Sequence, residues 1–283
     1  MRKEFDYTMM STFQTCQRKY YFRMVRNLVG KKTQTAPEFG KCIHSALDVW
    51  FSTRDINTTV RVFKESFVEN PDDTKRTLVM GEWILRNYAE KYAAEPFKVI
   101  ATEQTFELDL PNGNKHTGRI DKIIDWDGAI YVMDHKTTSQ LGPQFFNKFK
   151  PNLQMSGYVW AARRLGFTNC SGILVDGILV ASGLLEASRR ARLTPLARDI
   201  STRSEEELKE WEHTVLEIHD DIGECEGSGV WTPNFDACCD YGECPYRRIC
   251  VEDGEVREKV IGMDFIKEEW NPLKKEVASD TIG

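Results

Sequence analysis

An abrupt change of hydrophobic period near Val99 limits the fold more than any other feature of the sequence. Upstream, Phe39, Ile43, Ala46, Leu47 and Trp50 recur at helical spacing and put one apolar stripe on a helix over residues 37–51. Downstream, Thr105-Phe106-Glu107-Leu108-Asp109-Leu110 alternates polar and apolar, the period of a half-buried strand. Pro111-Asn112-Gly113-Asn114 and Asp125-Trp126-Asp127-Gly128 then carry turn chemistry, so that residues 115–124 and 129–136 return as the second and third strands of a meander. Further helices are predicted from a Ser11 cap to about residue 27, over 60–68 and over 72–93. Past the meander come a helix over 152–165 ended by Gly166, a buried strand over 170–179, and a helix over 204–222 with Ser204 and Glu207 as a capping box. This order predicts an α/β fold with one central mixed sheet flanked by helices. One domain is expected over 1–252, with a helical part (1–98), a sheet core (99–180) and a C-terminal helix and cysteine-rich segment (204–252). A charged tail, 253–283, would follow, with a short helix near 265–277.

Composition narrows the class. The 283 residues are 41% hydrophobic and 29% charged, enough to bury a core. The longest apolar stretch, 172–185, is interrupted by Asp176 and falls short of the ~20 residues of a membrane span. Glu4 and Asp6 stand where a signal peptide would be apolar, so a cytoplasmic protein with no membrane partner is expected. The net charge of −6 argues against wholesale electrostatic capture of nucleic acid. Charge is nevertheless clustered. Arg18, Lys19, Arg23, Arg26, Lys31 and Lys32 form an acid-free run, and Arg189, Arg190, Arg192, Arg198 and Arg203 form a second group. Each is either a solvated face or a local seat for a polyanion. Tyr20, Tyr21 and Phe22, three consecutive aromatics, read better as core than as a base-stacking platform.

Asp121, Asp134 and Lys136 carry the first chemical signal. Side chains alternate along a strand, so Asp134 and Lys136 share a face, and an antiparallel neighbour can bring Asp121 beside them. Facing carboxylates repel and call for a cation; Mg2+ or Mn2+ suits oxygen donors. A metal so held activates water, and the lysine stabilises charge or orients the nucleophile. An ordinary ion pair at a strand end fits the same three residues. Glu103 is a candidate support, Asp125 and Asp127 are turn residues, and His116 is expected on a strand surface.

Gly40-Lys41-Cys42-Ile43-His44, Gly118-Arg119-Ile120-Asp121, Asp134-His135-Lys136 and Gln154-Met155-Ser156-Gly157-Tyr158 follow one another in that order. The chain thereby resembles the RecB-like branch of the PD-(D/E)XK nuclease superfamily over roughly residues 10–180. The resemblance implies a restriction-endonuclease-like core and a metal site of His44, Asp121, Asp134 and the His135 backbone carbonyl. Lys136 would be the catalytic lysine, and Gln154 and Tyr158, four apart on one helix face, would line the site and contact DNA. Arg18, Lys19, Arg23, Arg189, Arg190 and Arg192 would hold the DNA backbone.

The eight cysteines are unevenly placed. Cys238, Cys244 and Cys250 are evenly spaced in an irregular segment, and Cys16 is the natural fourth partner for a four-thiolate metal site. One subgroup of the RecB-like branch, including AddB-type nucleases, the CRISPR adaptation nucleases and exonuclease V, has this split layout around a [4Fe–4S] cluster. In this chain such a cluster would staple the N-terminal helical region to the C-terminal segment. Cys239 is an alternative to Cys238, and Zn2+ an alternative to iron–sulfur. Cys42, Cys170 and Cys225 read as buried thiols or surface residues. No Walker A motif accompanies them. The resemblance implies a metal-dependent exonuclease of phage or bacterial recombination, replication or repair, acting on single-stranded DNA or DNA ends, with recombination or replication proteins as partners. A DNA-end-binding module of weak activity and an RNA nuclease are the rival readings.

Overall fold

The computed structural model describes residues 3–31, 34–186, 195–239, 243–271 and 273. In chain order the elements are β1 (Glu4–Phe5), α1 (Tyr7–Thr15), α2 (Gln17–Tyr20), β2 (Leu28–Gly30), α3 (Thr35–Thr53), α4 (Ile56–Ser66) and α5 (Leu78–Lys91). There follow β3 (Lys98–Asp109), β4 (Lys115–Trp126), β5 (Ala129–Thr138), α6 (Pro143–Asn147), α7 (Leu153–Arg164), β6 (Cys170–Leu179) and β7 (Leu196–Thr202). Last come α8 (Glu205–Ser228), α9 (Arg247–Val251), α10 (Gly254–Asp264) and β8 (Phe265–Lys267). They form two compact units, each drawn from separated stretches of sequence. The first contains Met1–Thr33, Thr105–Gly118 and Glu205–Lys274, the second Gln34–Gln104 and Arg119–Ser204.

The second unit is an α/β layer with a mixed sheet. β4 and β5 are antiparallel, joined by a turn in which Asp127 (φ 52°) and Gly128 (φ 86°) take left-handed backbone and Gly128 N–H donates to Asp125 Oδ1 at 2.8 Å. β5 runs parallel to β6, and β6 antiparallel to β7. A parallel strand buried on both faces reads as an apolar run, which is why Cys170–Leu179 is so hydrophobic. Over this sheet α3, α4 and α5 bury Phe39, Ile43, Leu47, Phe63 and Ile84 with Ile178 and Leu196. Gly40 lets α3 approach β5, because a Cβ there would sit 3.3 Å from Thr137 Oγ1. α5 starts at Leu78 rather than near residue 72. Asp73 Oδ1 accepts from the backbone N–H of Lys75 and Arg76, a local turn that competes with helix, and Thr77 supplies the cap.

The first unit holds the N-terminal helices, α8 and the cysteine-rich segment. Asp6, not Ser11, caps α1 through Met9 N–H at 2.8 Å, and Ser11 lies inside the helix. The single helix expected to residue 27 is broken at Cys16, whose backbone is extended (φ −169°, ψ 118°). α2 and a short π-helical turn, Tyr21–Val25, follow. Tyr20 and Phe22 are core residues, and Tyr20 and Tyr21 stack on Trp231. α10 and β8 occupy 254–267, where a helix was expected only from residue 265; β8 pairs antiparallel with β2. No helix among the described residues is long and apolar enough to cross a membrane.

Candidate active site and cysteine pocket

α3, β4 and β5 bring four of the expected residues together in the second unit. Asp121 stands one step beyond the paired residues Lys122 and Met133, which sets it across from Asp134. His44 Nδ1 lies 3.1 Å from Asp121 Oδ2, and Lys136 Nζ lies 2.8 Å from Asp134 Oδ2. Two carboxylates and two cationic partners thus alternate in one small volume, with Asp134 only 2% exposed.

The two acids behave oppositely. Burial works against the charge of Asp121, but His44, and after it Lys122, more than offset it and hold the carboxyl far below the usual range. Asp134 is pushed up, first by burial and then by Asp121, with Lys136 opposing. Burial likewise disfavours the His44 imidazolium, yet Asp121 raises its pKa above the ordinary value. Gln154 and Tyr158 share a face of α7 and bond to each other, Gln154 Nε2 donating to the Tyr158 hydroxyl at 3.0 Å. Glu103 adopts φ 50°, a left-handed conformation costly for a residue with a Cβ, and its carboxylate pairs with Arg119 at 3.1 Å. Asp125 and Asp127 serve the β4–β5 turn, as read from sequence.

In the first unit one cavity is lined by Cys16, Cys238, Cys244 and Cys250 together with Arg18, Lys19, Phe22, Tyr246 and Arg247. The helix break frees Cys16, whose sulfur accepts from Asn234 N–H at 3.3 Å. Cys244 N–H donates to the Cys238 carbonyl, tying two of the cysteines through the main chain. Tyr246, between Phe22 and Phe265 rings, anchors this segment by donating its hydroxyl hydrogen to the Leu28 carbonyl at 2.8 Å. Desolvation, Cys244, Cys250, Cys16 and Cys239 all push the Cys238 thiol up. Cys239 is exposed, with Arg247 Nη1 3.7 Å from its sulfur. Cys42, Cys170 and Cys225 are buried.

The sequence profile of the PD-(D/E)XK nuclease superfamily matches residues 5–251. The chain belongs to that superfamily. PD-(D/E)XK nucleases are hydrolytic phosphodiesterases that use divalent metals such as Mg2+ or Mn2+. A crystal structure of a provisionally named exonuclease from Eubacterium rectale shares the fold at a TM-score of 0.54, with 14% identity over 92% of this chain and 94% of that one. The crystal structure of SSO0001 overlaps less well, at a TM-score of 0.33 and 14% identity over 78% of this chain and 88% of that chain. No curated protein sequence matches.

The metals that PD-(D/E)XK nucleases use can be tested against the side chains. Asp121 Oδ2 and Asp134 Oδ2 are buried hard oxygen donors of the kind that suits Mg2+ or Mn2+, and each faces a protein cation. Among the described residues, no three His, Cys, Asp or Glu side chains stand as an assembled coordination set. His44 and Lys136 instead occupy the carboxylates. The donor chemistry therefore fits, and the present geometry is that of paired ions.

Several residues take other roles than their sequence setting indicates. Arg18 Nε donates to the Trp231 carbonyl, and Arg23 to the Glu268 carbonyl while lying over the Trp270 ring. Lys19 lines the cysteine cavity. Arg189, Arg190 and Arg192 lie outside the described residues. Two members of that second basic group are interior residues rather than a surface for a polyanion. Arg198 pairs with Glu95 and Asp176, and Arg203 is 4% exposed and bonds Ser156, Ser201 and the Phe149 carbonyl. His116 is not on the surface. It is buried between Phe106 and Trp211, and burial lowers its pKa to about 3. Gly118 abuts the same Phe106 ring, 2.7 Å from where a Cβ would be. The sequence gives no sign of a buried chain of polar groups running from Asp48 through Lys122 and His135 to Asp176. An acid four residues after His44 is its one visible hint.

Proposed function

We propose that the chain is a divalent-metal-dependent DNA exonuclease of the RecB-like branch, with a four-cysteine [4Fe–4S] cluster formed by Cys16, Cys238, Cys244 and Cys250. The observation that carries the reading is the juxtaposition of His44–Asp121 with Asp134–Lys136, which sets two carboxylates side by side on neighbouring strands. Asp121, Asp134, His44 and the His135 carbonyl would hold Mg2+ or Mn2+, which when bound polarises a phosphoryl oxygen and lowers the pKa of water. Lys136, released from Asp134, offers its ammonium to the scissile phosphate and orients the attacking water. Gln154 and Tyr158 present a paired amide and phenol to the neighbouring nucleotide. His44 keeps Asp121 ionised at neutral pH. Exonuclease action is supported by the name given to the Eubacterium rectale structure.

The test compares 5′- and 3′-labelled single- and double-stranded DNA, with matched RNA, in Mg2+ or Mn2+. Wild type runs beside Asp134→Ala and Lys136→Ala. Metal-dependent release of end nucleotides from DNA, lost in both variants, is expected. Equal inactivity of all three proteins with retained DNA binding would make the chain an end-binding module. Faster cleavage of RNA would move the substrate class.

A further inference from the structure

His135 lies between Asp134 and Lys136, and strand alternation turns its side chain to the opposite face of β5, where it is fully buried. Its Nε2 lies 3.2 Å from Lys122 Nζ and its Nδ1 3.0 Å from Asp176 Oδ2. An ammonium only donates and a carboxylate only accepts, so the ring between them is neutral with its hydrogen on Nδ1. Burial, then Lys122, lowers its pKa to about 4, in keeping with this. Lys122 also bonds Asp48 Oδ1 at 2.7 Å, one helical turn beyond His44 in α3. At the other end Asp176 receives the Tyr88 hydroxyl at 2.5 Å and lies 3.2 Å from Arg198 Nε. Arg198 is itself gripped by Glu95 at 2.6 and 2.9 Å.

Burying these charges is expensive, and well-packed apolar residues of the same volume usually hold a core together at less cost. What they do not supply is direction. Hydrogen bonds at fixed angles set the register of β5 and α3 to within the roughly 0.5 Å that a coordination site demands, whereas an apolar contact slides.

We propose that Lys122, His135 and Asp176 are positioning residues for the cation site, locking the Asp134–Lys136 segment of β5 to α3 so that His44, Asp121, Asp134 and the His135 carbonyl stand in one register. The inference rests on the reading of those four groups as holders of a divalent cation. It assigns Asp48 the role of the link on the helix side, and Tyr88, Glu95 and Arg198 the role of fixing Asp176.

Calorimetric titration of Mn2+ into the DNA-free protein tests it, alongside thermal unfolding without metal. Lys122→Met should raise the Mn2+ dissociation constant about 10- to 100-fold, the usual penalty for losing support behind a metal ligand. Asp48→Asn, partly exposed and so tolerated even if Lys122→Met does not fold, should raise it by a smaller factor. A role confined to packing would lower the unfolding temperature and leave the Mn2+ constant within about twofold of wild type, a result in either folded variant that overturns the inference. Wild type that takes up no Mn2+ overturns the cation reading and this inference together.

Discussion

Asp121 and Asp134 each have a protein cation within ion-pair distance, at 3.1 and 2.8 Å, whereas the groups that act on the Cys238 thiol are its own desolvation and other cysteines. The carboxylate centre carries counter-charges in the fold; they hold Asp121 ionised, while Asp134 is still pushed up by burial. The cations that line the thiol pocket, Arg18, Lys19 and Arg247, do not act on the Cys238 thiol in this way. A metal bound there would replace the thiol protons. Withdrawing metal should therefore silence one centre and loosen the other.

The largest effect expected is on chemistry. Asp134→Asn and Lys136→Ala should each lower cleavage by about 10³-fold or more in an end-labelled DNA assay. Asp134→Asn should at the same time leave the metal-free unfolding temperature unchanged or higher. A carboxyl whose folded pKa is raised favours folding only while protonated, and that contribution is lost as pH climbs from the ordinary value through the raised one. At neutral pH the ionised group opposes folding, and a neutral amide removes that opposition. A large fall in unfolding temperature would mean that the carboxylate centre depends on its charges for stability as the thiol pocket is proposed to depend on metal.

Next in size is the opposite response at the thiols. Cys250→Ala should reduce bound iron from about four atoms per chain to near none. It should also lower the unfolding temperature by about 10 °C or more, since binding energy at a structural metal is folding energy. Cys42→Ala, in the core of the second unit, should keep the iron. Metal analysis and scanning calorimetry read both. Iron retained in Cys250→Ala would erase the contrast between the centres.

A smaller effect separates the two by pH. His44 has a raised folded pKa, so its contribution to stability is complete below the unfolded value near 6.5 and fades as pH rises through the folded one. Metal-free wild type should lose unfolding temperature on going upward from about pH 6.5, and His44→Gln should not. Parallel curves for the two would show that the Asp121–His44 pair contributes nothing in the folded state. The smallest effect serves as a control away from both centres. Asp127→Val, at φ 52°, should cost about 1 kcal/mol in denaturant unfolding and change neither Mn2+ affinity nor iron content.

Much of this was readable in the sequence because it is local. Alternation and turn residues placed β4 and β5 to within two residues and the end of β3, though β3 starts seven residues earlier than its alternation showed; Gly166 ended α7, and motif spacing put His44, Asp121, Asp134 and Lys136 on elements that meet. What escaped depends on distant partners. β7 was hidden because Arg198, Asp199 and their neighbours look like a solvated basic segment until Asp176 and Glu95 are seen to bury the guanidinium. Lys122 and Asp176 looked like ordinary strand charges, and only pairing across β4, β5 and β6 makes them a chain. The break at Cys16 is invisible to helical periodicity, which continues through Tyr20. His116 was misplaced since alternation assigns a face and not what covers it.

The way the chain is shared between its two units has a consequence for its birth. Among the described residues the second unit ends at Ser204, but the first draws on Met1–Thr33, Thr105–Gly118 and Glu205–Lys274. Trp270 Nε1 donates to Asp6 Oδ2 at 3.1 Å, so the carboxylate that starts the first helix receives a bond from a residue made 264 positions later. At ribosomal speeds of roughly 5–20 residues per second, the sheet that carries Asp134 can close about 2–9 s before Cys250, the last cysteine of the pocket, is made. During that interval the N-terminal segment, Cys16 included, is without the later residues it packs against.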